Sequence, residues 1–484
     1  MTRTPAILAI DLGTTSAKGG LVRLDGSVVA AARRSYAIEI DEDAGRAEQD
    51  PGTWLVAVIS IARELLASAG ADTEIAAIAI DGHGPTLVAA DQGGTPTRPA
   101  ITWLDSRSTP ELDELSAATG LRGWALGILP AALWVDRNEP EVAAKTRWFL
   151  NTWEYLAFLL AGTARTSLVD GQLPPDLQAL RGAGFDVSRV APSVAAGTVV
   201  GGLTNEAAAA TGIKAGTPVV AGVVDAFASF HGAGLLEAGD GIDTGGTSGG
   251  FGVYTSRPVK AAGSFCTPAP LPGLYVVGGA MAATGRALDW FRDDVLGGTT
   301  TTEQLIDEAA AVEPGADGLV FLPYLAGERS PLWDPAARGA FVGLTLRHGR
   351  GHMARAILEA AALAIRHVAE PILAAGVRVD EVRVCGGPAQ SETWNRIKAD
   401  VTGFTIAVPH VLETAVVGSA IVGAVGIGAF DDLPSAIREM TRIERVIEPR
   451  PDLRERYEAL YHVYTSIHPA IAPILEPRVA AAVR

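Results

Sequence analysis

Residues 6–24, AILAIDLGTTSAKGGLVRL, decide the fold: an apolar run from Ala6 to Ile10, a turn over Asp11–Ser16, and a second strand-like run from Ala17 to Leu24. Asp25-Gly26 then signals a hairpin, and Ser27 to Ala32 resumes as strand. About half a chain later, Asp243-Thr-Gly-Gly-Thr-Ser248 repeats Asp11-Leu-Gly-Thr-Thr-Ser16 at Asp, Gly, Thr and Ser. Sliding by one residue instead pairs Gly13-Thr14-Thr15 with Gly246-Thr247-Ser248. Six residues carry little weight in a chain rich in Gly and Thr. Their setting adds more, because the second copy also lies between strand-like stretches, Gly241–Thr244 and Phe251–Tyr254. Two similar halves are predicted, divided between Gly234 and Gly241.

Working outward, the pattern alternates strands with helices. Asp50 is placed to cap a helix from Pro51 to Ala69, before Gly70. Glu74–Ile80 reads as a buried strand, Glu111–Thr119 and Thr152–Leu160 as helices, and Thr163–Thr198 as less regular chain. Thr217–Val224 reads as a strand that leads into a helix around Ala226. In the second half, helices are predicted at Ala287–Val295, Glu303–Ala311, His352–Ala375, Ser391–Thr402, Thr414–Ile427 and Leu453–Ile467, with a strand at Val382–Cys385. The alternation argues for α/β layers.

Composition narrows the function classes. The 484 residues include 48% hydrophobic and 19% charged side chains, enough for sizeable cores, and a net charge of −16. Lysine occurs only at 18, 145, 214, 260 and 398, and no basic run appears, which argues against nucleic acid. An anionic substrate would therefore be held by backbone amides and a metal. Cys266 and Cys385 leave one disulfide open but outline no secreted framework. No stretch approaches the ~18 unbroken apolar residues of a spanning helix. Asp11 and Gly13 interrupt the opening too soon for a signal peptide. The expectation is a soluble cytoplasmic protein, with a homodimer left open.

Several motifs are absent: GxxxxGK[ST], GxGxxG and HExxH. Gly246-Thr-Ser-Gly-Gly fits the hydrolase elbow GxSxG, but a strand rather than a helix follows, so Ser248 is a poor nucleophile. His348 and His352 stand four apart without a third partner, and no zinc is assigned. A Gly/Thr hairpin does suit phosphate, because consecutive turn amides converge on an anion and small side chains admit it. Asp11 at the turn could hold Mg2+ through water. Two such hairpins facing one another would cradle one nucleotide triphosphate, although either alone reads more readily as an ordinary hairpin.

Across nearly its whole length the sequence resembles the FGGY carbohydrate kinases, whose fold is shared with actin, hexokinase and the Hsp70 ATPase domain. The longest matching stretch runs from Gly327-Glu-Arg-Ser-Pro-Leu-Trp-Asp-Pro to Gly343-Leu-Thr and on through His352-Met-Ala-Arg-Ala-Ile-Leu-Glu-Ala. Asp11–Ser16 with Lys18, Ile101-Thr-Trp-Leu-Asp-Ser-Arg107, Gly216-Thr-Pro-Val-Val-Ala-Gly222, Gly386-Gly387, and Trp394-Asn395 through Ala399-Asp-Val401 also match. The resemblance implies two actin/hexokinase-like, ribonuclease H-like α/β ATPase domains with a cleft between them. Residues 1–238 would bind sugar and carry the first phosphate hairpin, and residues 239–484 would bind the nucleotide. It implies ATP and Mg2+ as cofactors, and a small sugar or polyol as substrate, with a pentulose such as xylulose preferred.

Residue by residue, the resemblance gives Thr14, Thr15, Ser16 and Lys18 to the ATP phosphates and Asp11 to the metal. Gly246 and Thr247 would form the facing loop, while Gly285, Gly386, Gly387 and Ser391 would line the adenosine pocket. Pro388 stands where the family usually has glycine or alanine. Asp225 falls at the general base, whose bland alternative is a helix-capping aspartate. For the sugar, His83 takes the place of the xylulose-kinase Gln, and Gly84-Pro85-Thr86 replace Met-His-Gly. The Arg-Glu pair of glycerol kinases is missing there. Thr86, Trp103 and Asp105 complete the candidate sugar site, against the alternative of a buried Trp and an Asp105–Arg107 pair. Pro130-Ala-Ala-Leu-Trp134 lacks the family's usual lysine. An ATP-binding regulatory or chaperone-like protein of the same fold is the competing class.

Overall fold

The computed structural model describes residues 4–41, 43–70, 73–121, 123–168, 176–246 and 248–482. The chain forms two compact units. Unit one takes the residues up to Gly234 together with Glu413–Thr441; unit two takes Leu235–Leu412 and the chain from Arg442 onward.

Unit one opens with an antiparallel meander of β1 (Thr4–Leu12), β2 (Ser16–Arg23) and β3 (Val28–Ser35). Gly26 turns the second hairpin with φ 80°, a conformation that costs glycine little. Helix α1 (Pro51–Ser68) starts where the Asp50 carboxylate accepts the Gly52 N–H at 2.8 Å. Its Trp54, Val58, Ile61 and Leu65 recur at helical spacing and are buried against the sheet core. Strand β4 (Thr73–Gly82) runs parallel to β1. With β5 (Val199–Gly202) and β6 (Pro218–Val220) it completes a six-stranded sheet in the order β5-β6-β4-β1-β2-β3.

Strand β6 is shorter than the sequence pattern suggests. Its ladder with β4 ends at Val220, where the chain closes over Ile80: a Cβ on Gly222 would stand 1.8 Å from the Ile80 carbonyl oxygen. Val224 rejoins Gly82 by a single bridge, and α2 (Asp225–Gly232) begins at the next residue.

Unit two repeats the plan. Its elements are β7 (Asp240–Asp243), β8 (Gly249–Thr255), β9 (Phe265–Pro268), β10 (Tyr275–Met281), α3 (Arg350–Ala374), β11 (Glu381–Val384), α4 (Glu392–Thr402), β12 (Ile406–Pro409) and β13 (Ile443–Ile447). The sheet order is β9-β10-β8-β7-β11-β12-β13. In both units the first strand pairs antiparallel with the second and parallel with a later one, β4 or β11. Asp11 faces Lys18 seven residues on, whereas Asp243 faces Phe251 eight residues on. The second turn is therefore one residue longer. Asp11 thus corresponds to Asp243 on one side of the extra residue, and Lys18 to Phe251 on the other. The strand after Ser248 also removes the hydrolase-elbow reading.

The chain re-enters unit one as α5 (Thr414–Gly426), buried from Thr414 through Ala424. The sequence suggested one cut near residue 238; the chain instead passes between units after Gly234, Leu412 and Thr441. Helix α5 crosses α2 at glycines. A Cβ on Gly232 would lie 1.8 Å from the Thr414 oxygen, and one on Gly418 would lie 1.8 Å from the Ala228 oxygen. Gly423 packs on Ile7 of β1 and Ala79 of β4. The final helix, Arg454–Ala482, runs well past the predicted end at Ile467.

The α2–α5 contact supplies a test of the fold. Gly232→Ala forces a backbone carbonyl aside, an overpacking cost of about 1–3 kcal/mol. Urea denaturation should show that loss; an unchanged midpoint would mean the helices separate freely.

Candidate active site

The turn between β1 and β2 is braced from below. The Tyr36 hydroxyl donates to the Gly13 carbonyl, and Gln49 Nε2 donates to the Thr14 carbonyl at 2.7 Å and to that of Ala37 at 3.1 Å. Tyr36 N–H donates to the Thr15 carbonyl at 3.1 Å, and Trp103 Nε1 donates to Thr14 Oγ1 at 3.0 Å. Every carbonyl of the turn is thus engaged, while the amides of Thr14 and Thr15 have no acceptor among the described bonds. Thr15 is exposed and Thr14 half-buried, so those amides belong to a surface turn. Ser16 is buried, its hydroxyl accepting from Arg33 at 3.2 Å. Tyr36 and Gln49 carried no motif signal in the sequence.

Behind the turn lies a group of carboxylates. Asp11, near the end of β1, faces Asp81 of β4 in the parallel ladder. Burial raises the Asp11 pKa, partly offset by Lys18, whose Nζ lies 3.7 Å away. Burial and then the charge of Asp11 raise the Asp81 pKa well above its ordinary value. Ser419 of α5 donates to Asp81 Oδ2 at 2.5 Å, and Asp81 Oδ1 has no partner within the protein. Asp225 opens α2, accepts the Ala226 N–H at 2.8 Å, and is pushed up to about 7 by burial and then by Asp11. Lys18 also donates to Glu413 at 2.7 Å; burial opposes its charge, but Asp11 and Glu413 hold its pKa above the usual lysine value. Asp81, Ser419 and Glu413 were missed in the sequence; the ladder pairing singles out Asp81, and the return of the chain into unit one brings Ser419 and Glu413 to it.

A magnesium ion fits this chemistry. An excess of buried carboxylate, including an orphaned oxygen on Asp81, meets one nearby ammonium. Among the described residues no three His, Cys, Asp or Glu side chains converge as a protein cage. That suits a cation bound by one or two carboxylates plus phosphate and water.

The sugar candidates are gathered on unit one, mostly turned inward. His83 is 1% exposed, edge-on to Trp54, and burial pushes its pKa down to about 3. Its Nδ1 pairs with Thr86 Oγ1 at 2.9 Å, and that oxygen accepts the Trp103 N–H at 3.2 Å. The Asp105 side chain is 0% exposed and accepts from Ala47 N, Arg107 N and the Arg107 guanidinium. So saturated a carboxylate holds its loop together. His83 and Thr86 are buried, and Trp103 beside them is half-buried.

In unit two, Gly386 takes φ 74° and packs so tightly on the Gly245 oxygen that a Cβ would approach to 2.3 Å. Gly387 starts a 3-10 turn with open space beside it, and Ser391 caps α4, accepting the Trp394 N–H at 3.1 Å. Gly246 flanks the longer turn, Gly285 precedes the helix Arg286–Trp290, and Thr247 lies outside the described residues. Asp243, the counterpart of Asp11, is locked to buried Lys398 at 2.5 Å. The long signature motif is scaffolding: Glu328 accepts from Ala282 N, Arg329 donates to the Met281 carbonyl, and Ser330 N–H donates to the Ala280 carbonyl. Together they fix the end of β10. Neither cysteine is in a disulfide, and His348 and His352 accept local backbone N–H groups. No described helix is long and apolar enough to cross a membrane.

A strand–turn–strand hairpin repeated in two α/β units is the architecture of the actin/hexokinase-like ATPases. The chain belongs to the FGGY family of carbohydrate kinases: the models of the N-terminal and C-terminal domains match residues 6–232 and 244–427. It is 30% identical to a xylulose kinase of Bacillus subtilis (strain 168) over 96% of both chains. It is also 32% identical to a glycerol kinase of Thermus brockianus over 94% of this chain and 96% of the other. The crystal structure of xylulose kinase from Rhodospirillum rubrum superposes with a TM-score of 0.81 at 32% identity, covering 97% of this chain and 100% of that one. The protein is an ATP-dependent kinase of a sugar or polyol.

The Asp243–Lys398 pair is testable apart from activity. Lys398→Met strands a buried carboxylate and should cost about 3–5 kcal/mol, which adding Asp243→Leu should largely restore. Chemical denaturation of the parent and the two variants decides this, and an unharmed single variant would show the pair to be dispensable.

Proposed function

We infer that the protein phosphorylates a pentulose, xylulose being the first candidate, with Asp225 as general base. The observation that carries the reading is the place of Asp225: first residue of α2, beside Asp11, with a pKa near 7. A carboxyl group poised there accepts a hydroxyl proton efficiently near neutral pH. The sugar oxygen attacks the terminal phosphorus of ATP as its proton passes to Asp225, and the bond to the bridging oxygen breaks to release ADP. Thr14 and Thr15 amides and Lys18 hold the phosphates, and Asp11 would hold a magnesium ion that neutralises phosphate charge.

Similarity to xylulose kinases supports the choice of sugar, as does the uncharged Gly84-Pro85-Thr86 segment. With His83 and Thr86 bonded to each other, few free polar groups line this wall. A site with few dedicated hydrogen bonds discriminates weakly among related alcohols. Nucleotide binding by the Gly246, Gly285, Gly386–Gly387 and Ser391 surfaces of unit two and a cytoplasmic location complete the proposal.

Asp225→Asn should lower turnover at least ~100-fold while ATP binding stays near normal. Near-normal turnover would remove Asp225 from the chemistry. Because its pKa is raised and the base form is the active one, kcat/KM should fall on acidification through about pH 7; a profile flat from pH 5.5 to 8 would contradict this. Across a panel of ketoses, polyols and gluconate, several related ketoses should react and glycerol poorly. One sugar preferred by more than ~10⁴-fold would show a dedicated polar site instead.

A further inference from the structure

Asp11 and Asp243 occupy matching strand ends, and each has a lysine near it, but at different distances. In unit two, Lys398 of α4 reaches Asp243 at 2.5 Å, with the two side chains only 3% and 4% exposed. Among the described ion pairs Lys398 has no other carboxylate. In unit one, Lys18 lies across the β1–β2 ladder from Asp11, yet its Nζ stays 3.7 Å away. That is beyond hydrogen-bond reach. The ammonium instead donates to Glu413 at 2.7 Å, a residue 395 positions along the chain. Glu413 stands just before α5, where the chain re-enters unit one. Its side chain is half exposed and that of Lys18 is 30% exposed, so water screens this outer pair.

We propose that Glu413 is a positioning residue that draws Lys18 off Asp11 and so keeps the Asp11 carboxylate open to Mg2+. The inference rests on the reading of Asp11 as the carboxylate that takes the metal. An ammonium and a divalent cation compete for the same oxygens, and a closed ion pair has to break before a metal enters. Asp11 is buried, where opposite charges attract more strongly than in water. Unopposed, Lys18 would close on it as Lys398 has closed on Asp243. Glu413 supplies the opposition. Its pair with Lys18 is wet and therefore weak, so the ammonium exchanges it for a phosphate oxygen at little cost. Unit two has no such third member among the described ion pairs, and its aspartate is shut.

Calorimetric titration with ADP at a series of Mg2+ concentrations, without sugar, tests this. The quantity read is the Mg2+ concentration at which half of the metal's effect on ADP affinity is reached, kept apart from the affinity without metal. Glu413→Gln keeps the shape and removes the charge. It should raise that concentration roughly two- to fivefold, the worth of one partly exposed ion pair. Adding Lys18→Met should return it to the parent's value or below, because no ammonium remains to close on Asp11. Lys18→Met alone should need no more Mg2+ than the parent, which keeps the test alive should Glu413→Gln fold poorly. An unmoved requirement in Glu413→Gln overturns the proposal. So does a double variant as demanding as Glu413→Gln, which would make Glu413 a ligand of the metal itself. A Lys18→Met protein that needs more Mg2+ overturns it as well. A parent whose ADP affinity ignores Mg2+ would undo the metal reading and the proposal with it, whereas failure in the variants alone would leave the metal reading standing.

Discussion

Asp11, Asp81 and Asp225 set three carboxyl groups around the end of β1, and Lys18 is the ammonium that faces them. Like charges held together out of water cannot all ionise, so the group sheds charge by taking up protons. Burial and Asp11 raise Asp81 well above its ordinary value, and Asp225 is pushed up to about 7. The arrangement still has no room for a triphosphate unless positive charge arrives with it. A chain with five lysines and a net charge of −16 has little of its own to offer. A divalent cation, if one binds here, would relieve the electrostatics of one strand end. The bracing of the turn engages its carbonyls and leaves the Thr14 and Thr15 amides without an acceptor among the described bonds.

Much of this was legible in residues 6–24. The hairpin, its echo at Asp243, and the strand-to-helix passage into Asp225 are local patterns, set by short-range turn and alternation rules. Even the ambiguity of the echo carried information, because the two competing alignments describe opposite sides of one inserted residue. What was not legible depends on pairing at long range. Asp81 is unremarkable in a buried strand until β4 is laid against β1. Glu413 and Ser419 lie in sequence among unit two's elements, and nothing in their neighbourhood says that α5 packs elsewhere. Tyr36 and Gln49 act through single hydrogen bonds, which leave no periodicity.

The positions that family likeness names differ in what surrounds them. Asp105 matches the expected place but spends its oxygens on Ala47 and Arg107. Asp243 matches Asp11 in register, yet Lys398 neutralises it. The two halves are alike in backbone and opposite in charge logic. One keeps a carboxylate in search of a cation, and the other has closed the question with a lysine.

The return of α5 bears on how the protein is made. Unit one is discontinuous: its sheet is encoded before residue 235, but the helix covering β1 and β4 through Gly423 comes after residue 412. During synthesis the first six strands leave the ribosome with that face bare, and they must wait for nearly all of unit two. At ~5–20 residues per second that interval lasts on the order of ten seconds or more. Unit two is bounded by the same event, since its last sheet strand, β13, follows α5. Neither unit can finish alone, so cotranslational folding here is an interlocked closure late in the chain rather than one domain after another.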